Sequence, residues 1–381
     1  DYLSYWKIRG SFASVGTAFE RYIANPLFAW NTSIGQWSNL TDFPVYDLKP
    51  ERTNSFEVGM NMRFLKNFEL DVTYYNAKTM NQTFNPELPV GEYARIYIQT
   101  GAVRNQGLEL ALNYNNTWKD FTWNTGVTYS MNKNKILTLA DNAINPITHE
   151  KFSISSLNMG GLGSTRFILK EGGSMGDIYS LMDLKRDANG AVYIDENNSV
   201  VTESLEANNY IKLGSVLPKG NLAWRNNFSW KNINVAFLVS ARLGGVVFSR
   251  TQAVLDNFGV SEASAAARDK GYVSVNGNDR VNPEGWYSVV AGGTAVPQYY
   301  IYSATNIRLQ EASIGYTIPR KWLGNVCDIK VSLIGRNLWM IYNKAPFDPE
   351  SVASTDNFYQ GIDYFMMPSL RNIGFNLGFK F

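Results

Sequence analysis

The stretch Pro368–Phe381, PSLRNIGFNLGFKF, restricts the fold more than any other part of the chain. Ile373, Phe375, Leu377, Phe379 and Phe381 occupy every second position, with Asn372, Gly374, Asn376, Gly378 and Lys380 between them. Successive side chains leave a strand on opposite sides, so this is a strand with one apolar and one polar face. In a soluble domain a second layer must cover such a row of Ile, Leu and Phe; in a bilayer, lipid covers it.

The same alternation recurs along the chain. Trp6, Ile8 and Phe12 alternate with Lys7, Arg9 and Ser11 in a strand over residues 3–16. Phe56 to Phe64 and Phe68 to Tyr74 form a hairpin across Leu65–Asn67. A second hairpin joins Leu108–Tyr114 to Phe121–Met131 through Asn115–Trp118, and a third joins Leu222–Phe228 to Ile233–Val239 through Trp230–Asn232. In the strand over 303–317 the apolar phase shifts, which predicts a bulge near Gln310–Glu311. Pro319–Asn325 then turns into a strand with Ile329, Val331 and Leu333. The connections alternate between long (17–52, 78–101, 134–217, 246–302, 343–367) and short, the pattern of a transmembrane barrel with short periplasmic turns and long extracellular loops. Tyr5, Trp6, Tyr74, Tyr75, Trp118, Trp230, Trp322, Trp339 and Tyr342 gather near strand ends, where interfacial girdles lie. The expected fold is all-β: a transmembrane antiparallel β-barrel, of which about ten strands are present.

Composition agrees with that class. The 381 residues carry 35 Lys and Arg against 33 Asp and Glu, too even a balance for a nucleic-acid binder. A single histidine, His149, and a single cysteine, Cys327, give no zinc ligand set. His149 and Glu150 lack a nucleophile motif, so they read as solvated loop residues and not as a catalytic pair. No enzyme activity, cofactor or metal is expected. The glycines at 160, 161 and 163 and at 172, 173 and 176 follow no strand-to-helix pattern and read as flexible loop.

At this point the residues resemble the carboxy-terminal part of the SusC/RagA-like TonB-dependent transporters. The matching stretches are LKPERTNSFEVGMNMRFL (48–65), GAVRNQGLELALNY (101–114), YSATNIRLQEASIGYTIP (302–319), LIGRNLWMIYNKAPFDPE (333–350) and SLRNIGFNLGFKF (369–381). The resemblance implies a 22-stranded barrel filled by an amino-terminal plug. On that reading, residues 1–381 are about its last ten strands, with the plug, the TonB-contacting segment and the earlier strands upstream. It further implies TonB-driven import of oligosaccharides or peptides across a Gram-negative outer membrane, with a SusD-like surface lipoprotein as lid. Many relatives carry a DxDGD-like stretch. Here Asp187-Ala-Asn189-Gly190 and Asp195-Glu196-Asn197-Asn198 lack the spacing of a calcium loop and read as two polar turns.

Glu57, Arg63, Glu69, Asp71, Glu109 and Arg225 fall on the inward parity and would line the lumen. Ligand contact is expected mainly from loop aromatics, whose faces stack on sugars or pack on peptides: Trp30, Trp37, Tyr46, Trp286, Tyr287, Phe358, Tyr359 and Tyr364. By resemblance, Phe381 is the terminal aromatic read by the barrel-assembly machinery. Two other classes remain open: a self-contained barrel of about ten strands acting as passive porin or surface protease, and a soluble all-β carbohydrate-binding protein. The first requires the sheet to close on itself; the second requires the apolar strand faces to be covered.

Overall fold

The computed structural model describes the chain except residues 1, 20, 22, 24–27, 29, 38–41, 44–47, 86–94, 145–148, 294, 325 and 356–357. Ten antiparallel strands form one sheet in chain order: β1 (Leu3–Thr17), β2 (Glu51–Phe64), β3 (Phe68–Phe84), β4 (Ile98–Trp118), β5 (Phe121–Thr138), β6 (Gly220–Trp230), β7 (Ile233–Leu243), β8 (Asn306–Ile318), β9 (Asp328–Asn343) and β10 (Asn372–Lys380). Each sequence-predicted strand is present. Several run further than the alternation suggested, because β3 and β4 stay paired out to Phe84 and Ile98, inside the expected loop 78–101. β4 has 21 residues, about twice the ~9–11 that a strand needs to cross a bilayer, so its upper part stands clear of the membrane.

The turns at one end are tight. Lys119–Asp120 and Lys231–Asn232 are two-residue links, with Lys119 at φ 52° and Lys231 at φ 51°. A positive φ at the first central residue is the II′ geometry, whose twist suits a hairpin. The turn expected at Asn115–Trp118 therefore lies two residues later. The phase shift in β8 is a real bulge: Leu238 of β7 pairs with Glu311 while Val239 pairs with Leu309, leaving Gln310 unopposed.

The two faces of the sheet differ sharply. Phe12 is 72% exposed and Phe375 77%, and Trp6, Ile8, Phe56, Val58, Ile314 and Leu333 on the same face are also exposed. Among the described residues no second layer covers this face, and the soluble-protein reading requires one. Near the tight turns a run of rings crosses the sheet: Phe64 to Phe68 at 5.4 Å, Phe68 to Tyr114 at 4.8 Å, Tyr114 to Trp123 at 5.3 Å, and Trp123 to Phe228 at 6.1 Å. That is an interfacial girdle. The opposite face is polar and concave. The sheet is open: among the described residues β1 pairs only with β2, and β10 only with β9. A self-contained ten-stranded barrel would pair β1 with β10, and this sheet does not.

The long connections carry secondary structure of their own, and the two glycine-rich pieces expected as flexible loop lie within it. Residues 139–219 supply a four-stranded sheet, with strands Ser156–Leu162, Thr165–Lys170, Asp177–Ser180 and Ile211–Ser215. Residues 244–305 supply helices α1 (Arg250–Asn257), α2 (Glu262–Lys270) and α3 (Pro283–Val290), and residues 344–371 supply the short strand Ile362–Asp363, paired in parallel with Val246–Ser249. One apolar core draws on all three connections: Phe167, Ile178 and Val216 from the first, Phe248, Val290 and Tyr300 from the second, Ile362 from the third. The glycine-rich pieces are tight turns of this cap. Gly161, at φ 157°, lies so close to the Thr165 carbonyl that a Cβ would sit 2.1 Å from it. Gly172 and Gly173 exchange backbone hydrogen bonds with Ile136.

Candidate functional site: a polar wall under a folded cap

Strand register brings seven residues into one row across the strands on the polar face. Arg9 lies opposite Gly59, Gly59 opposite Thr73, and Thr73 opposite Glu109; Glu109 then lies opposite Ser130, Ser130 opposite Asn221, and Asn221 opposite Arg242. All but Gly59 line a cavity of about 630 Å³ together with Asp71, Gln310 and Glu350. Alternation explains the chemistry: each of these residues sits between two that face outward. The bulge at Gln310 matters here, because the extra residue lets Gln310 join the wall while Leu309 and Ala312 stay outside.

The charges on this wall are partly paired. Arg9 Nη2 donates to Asp71 Oδ1 at 2.8 Å and its guanidinium also reaches Asn61 and Thr73. Arg63 meets Glu69 at 3.4 Å, and Arg336 meets Glu311 at 2.9 Å. Glu109 makes no ion pair among the described residues. Arg242 Nη2 donates to the Val216 carbonyl at 2.7 Å, while its Nε is buried without a partner among the described residues. An unmet buried donor is costly and therefore informative.

A buried ion cluster joins wall to cap. Arg308 of β8 and Asp348 of the last long connection are 6% and 7% exposed at their side chains and meet at 2.9 Å. Arg308 also meets Glu350 at 3.2 Å, and Asn306 bridges the two, accepting from Arg308 Nε and donating to Glu350. Burial alone would raise the Asp348 pKa, but hydrogen bonds from Arg308, Ser369 and the Glu350 backbone N–H hold it below the ordinary carboxylate value. The cluster ties Asp348 and Glu350 of the last long connection to β8 and places Glu350 in the cavity wall.

In the cap, Asp256 is buried and accepts from Tyr300 at 3.0 Å, from Gln252 at 3.1 Å and from Ser261. Burial and that carboxylate push the Tyr300 hydroxyl far above the ordinary phenol value, and burial pushes Tyr302 up to about 12. The two acidic segments are the polar turns expected. Asp187 Oδ1 accepts from the N–H of Asn189 and Ala191, and Asp195 Oδ1 from those of Asn197 and Ser199.

The structure scatters the sequence-predicted aromatics. Trp30 and Trp37 pair across a two-residue-per-strand ladder at 5.3 Å, edge to face and exposed. Tyr46 lies outside the described residues. Trp286 packs against the cap core and edge-on to Tyr299 at 5.2 Å, and Phe358 packs edge-on to Phe167 at 6.4 Å. Both rings are thus engaged in packing. Tyr287 lines a second cavity, of about 600 Å³, between α1, α2 and α3. Tyr359 is exposed, with its hydroxyl beside Gly160, and Tyr364 is exposed beside Phe365 at 5.3 Å. Phe381 is fully open at the chain end, on the apolar side. Sequence reasoning missed Arg9, Arg242, Gln310 and Glu350. Alternation with Trp6 and Ile8 already placed Arg9 inward; nothing local marks Glu350, which reaches the wall from a loop.

An open antiparallel sheet with a bare apolar outer face, a polar inner wall and folded long connections defines part of a transmembrane β-barrel. Residues 2–244 match the family described as TonB dependent receptor-like, beta-barrel, and the chain belongs to that family. It is 25% identical over 431 residues to TonB-dependent receptor P3 of Formosa agariphila, covering 99% of this chain and 39% of that protein. It is 27% identical over 356 residues to TonB-dependent receptor P26 of the same organism, covering 87% of this chain and 34% of that one. The chain thus spans about two fifths or less of these relatives. Its fold is that of the RagAB peptide importer in the closed-closed state, with TM-score 0.72, 16% identity, 100% of this chain and 41% of that chain covered. The open-open state of the same importer gives TM-score 0.71.

Proposed function

We propose that residues 1–381 are the carboxy-terminal portion of the barrel of a TonB-dependent outer-membrane importer, with a plug and earlier strands upstream. The observation that carries this reading is the open sheet. Its polar wall faces a lumen that β1 and β10 leave unclosed, and the chain covers 39% of its relative TonB-dependent receptor P3. The cargo is a nutrient oligomer, oligosaccharide or peptide, bound between the polar wall and exposed loop aromatics: Trp30 and Trp37 of the first long connection and Tyr359 and Tyr364 of the last. Tyr46, Trp286, Tyr287 and Phe358 complete the candidate set, Trp286 and Phe358 by shaping the cap. The partner is a SusD-like lipoprotein docked on the extracellular side, and TonB supplies energy through the upstream segment. Fold likeness to the RagAB importer and family membership support this assembly. The test is oligomer uptake by cells expressing the full-length protein, with and without TonB. Equal uptake in both, or a full-length protein that extracts from membranes without detergent, overturns the proposal.

A further inference from the structure

Each of the four short connections sets a lysine beside a bulky apolar residue: Leu65-Lys66, Trp118-Lys119, Trp230-Lys231 and Lys321-Trp322. Leu65, Trp118, Trp230 and Trp322 are all exposed. Trp118 and Trp230 continue the outward parity of Tyr114 and Phe228, so these pairs lie just beyond the girdle rings, on the face away from the lumen. Lys231 Nζ stands 5.4 Å from the Trp230 ring centre, which keeps that ammonium on the outer side. Turn geometry does not ask for lysine. Lys66, Lys119 and Lys231 have φ of 65°, 52° and 51°, where Gly, Asn or Asp is the ordinary choice. The charge is also one-sided. Residues 65–67, 119–120, 231–232 and 319–327 hold Lys66, Lys119, Lys231, Arg320 and Lys321 against Asp120 alone, a net +4. The whole chain is only +2, so the rest of it is net −2.

We infer that this rim is a collar for anionic glycerophospholipids of the periplasmic leaflet: the lysine ammonium groups take headgroup phosphates, and the neighbouring Trp and Leu side chains sit in the glycerol region. The inference rests on the barrel reading, which puts the short connections on the periplasmic side. Tryptophan favours the membrane–water interface, and a lysine beside it reaches the phosphate plane with its stem along apolar surface. Each lysine near an anionic lipid surface adds to the attraction, whereas a zwitterionic headgroup brings its own ammonium to the same phosphate. A soluble acidic partner would use the charges but not the outward apolar side chains beside them. A purely apolar anchor would need no lysine at a positive φ. The plug proposed upstream would fill the lumen, on the other face of the sheet, and leaves this outer rim to lipid.

The test is native mass spectrometry of the full-length protein taken into detergent from vesicles of equimolar phosphatidylglycerol and phosphatidylethanolamine. The unaltered protein should retain phosphatidylglycerol over phosphatidylethanolamine by roughly fivefold, with the preference falling at high salt. A variant carrying Lys66→Asn, Lys119→Asn, Lys231→Asn and Lys321→Gln should retain the two lipids equally. Asparagine suits the positive φ, so the turns still form, and heat-modifiable migration in gel electrophoresis shows that the barrel is folded. Equal retention by the unaltered protein overturns the inference, and that comparison stands even if the variant fails to fold. An unchanged preference in the folded variant also overturns it. So does loss of TonB-dependent uptake in a variant whose lipid retention is unchanged, since the rim then serves a periplasmic protein. Modification of Lys119 in intact cells by a membrane-impermeant amine reagent would put the rim outside and overturn the inference through its orientation. The lipid results leave the importer reading untouched, because that reading stands or falls on the TonB-dependence of uptake.

Discussion

Replacing Asp348 by alanine leaves the Arg308 guanidinium 6% exposed with its main counter-ion gone. Breaking a buried pair by removing one partner typically costs ~3–5 kcal/mol, because the remaining charge stays desolvated. Glu350 at 3.2 Å and the Asn306 carbonyl oxygen at 3.2 Å remain, so the lower end of that range applies, about 3 kcal/mol. The loss falls on the connection that the cluster fastens, and residues 344–371 should open locally while the strands stay paired. A local cost of about 3 kcal/mol raises the open population roughly a hundredfold. Hydrogen exchange followed by mass spectrometry reads this peptide by peptide: amides in 344–371 exchange faster, those of β8 and β9 at the girdle end do not. The companion Arg308→Met, Asp348→Leu double variant should recover much of the protection, since it leaves no orphaned charge. Unchanged exchange in Asp348→Ala would refute the reasoning, as would a double variant worse than the single one.

Four further outcomes follow from the same structure. Phe248→Ala removes a fully buried ring from the shared cap core and should cost ~3–5 kcal/mol, read as cap-specific protease cleavage with the barrel intact; cleavage confined to residues 244–305 would contradict the shared core. Lys119→Gly relieves a positive φ at an exposed turn and should stabilise by roughly 0.5–1 kcal/mol in urea titrations of the detergent-folded protein; a loss of stability would show that Lys119 makes a contact of greater worth. Tyr300 and Tyr302 have folded-state pKa values above the unfolded phenol value of about 10. The folded cap then holds protons that the unfolded chain releases, so this stabilisation is complete below about pH 10 and is lost as pH rises to 12 and beyond. Trp286 fluorescence should change with a tyrosinate titration above pH 10, and ordinary titration of every tyrosine near 10 would sink the idea. Deleting Phe381 should lower outer-membrane levels without lowering refolding yield in detergent; normal levels would remove its assembly role.

The barrel strands were legible because one physical rule governs them: a side chain meets either lipid or lumen, and neighbours alternate. Even the bulge at Gln310 showed as a break in that phase between Leu309 and Ala312. Strand ends were harder to read, because above the membrane both faces are wet and the alternation fades, as at Lys78–Phe84 of β3. The cap was nearly illegible. Its core joins Phe167, Phe248 and Ile362 across gaps of many residues, and no short window holds enough of it to show a period. The same cause hid the site. Glu109 and Asp71 could be assigned inward from parity, but their alignment with Arg242 depends on the register of five strands, and Glu350 on a loop path.

The parallel pairing of Ile362–Asp363 with Val246–Ser249 has a consequence for building chimaeras. A hairpin loop that stands alone can be transplanted from one barrel to another. Here the short strand of one connection completes a sheet begun by another, and Ser249 Oγ closes the joint by donating to Asp363 Oδ2 at 2.6 Å. A donor segment moved singly would arrive without its other half. Grafts between related barrels should therefore carry residues 139–219, 244–305 and 344–371 together, and natural recombination that respects function should cut in the tight turns at the far end.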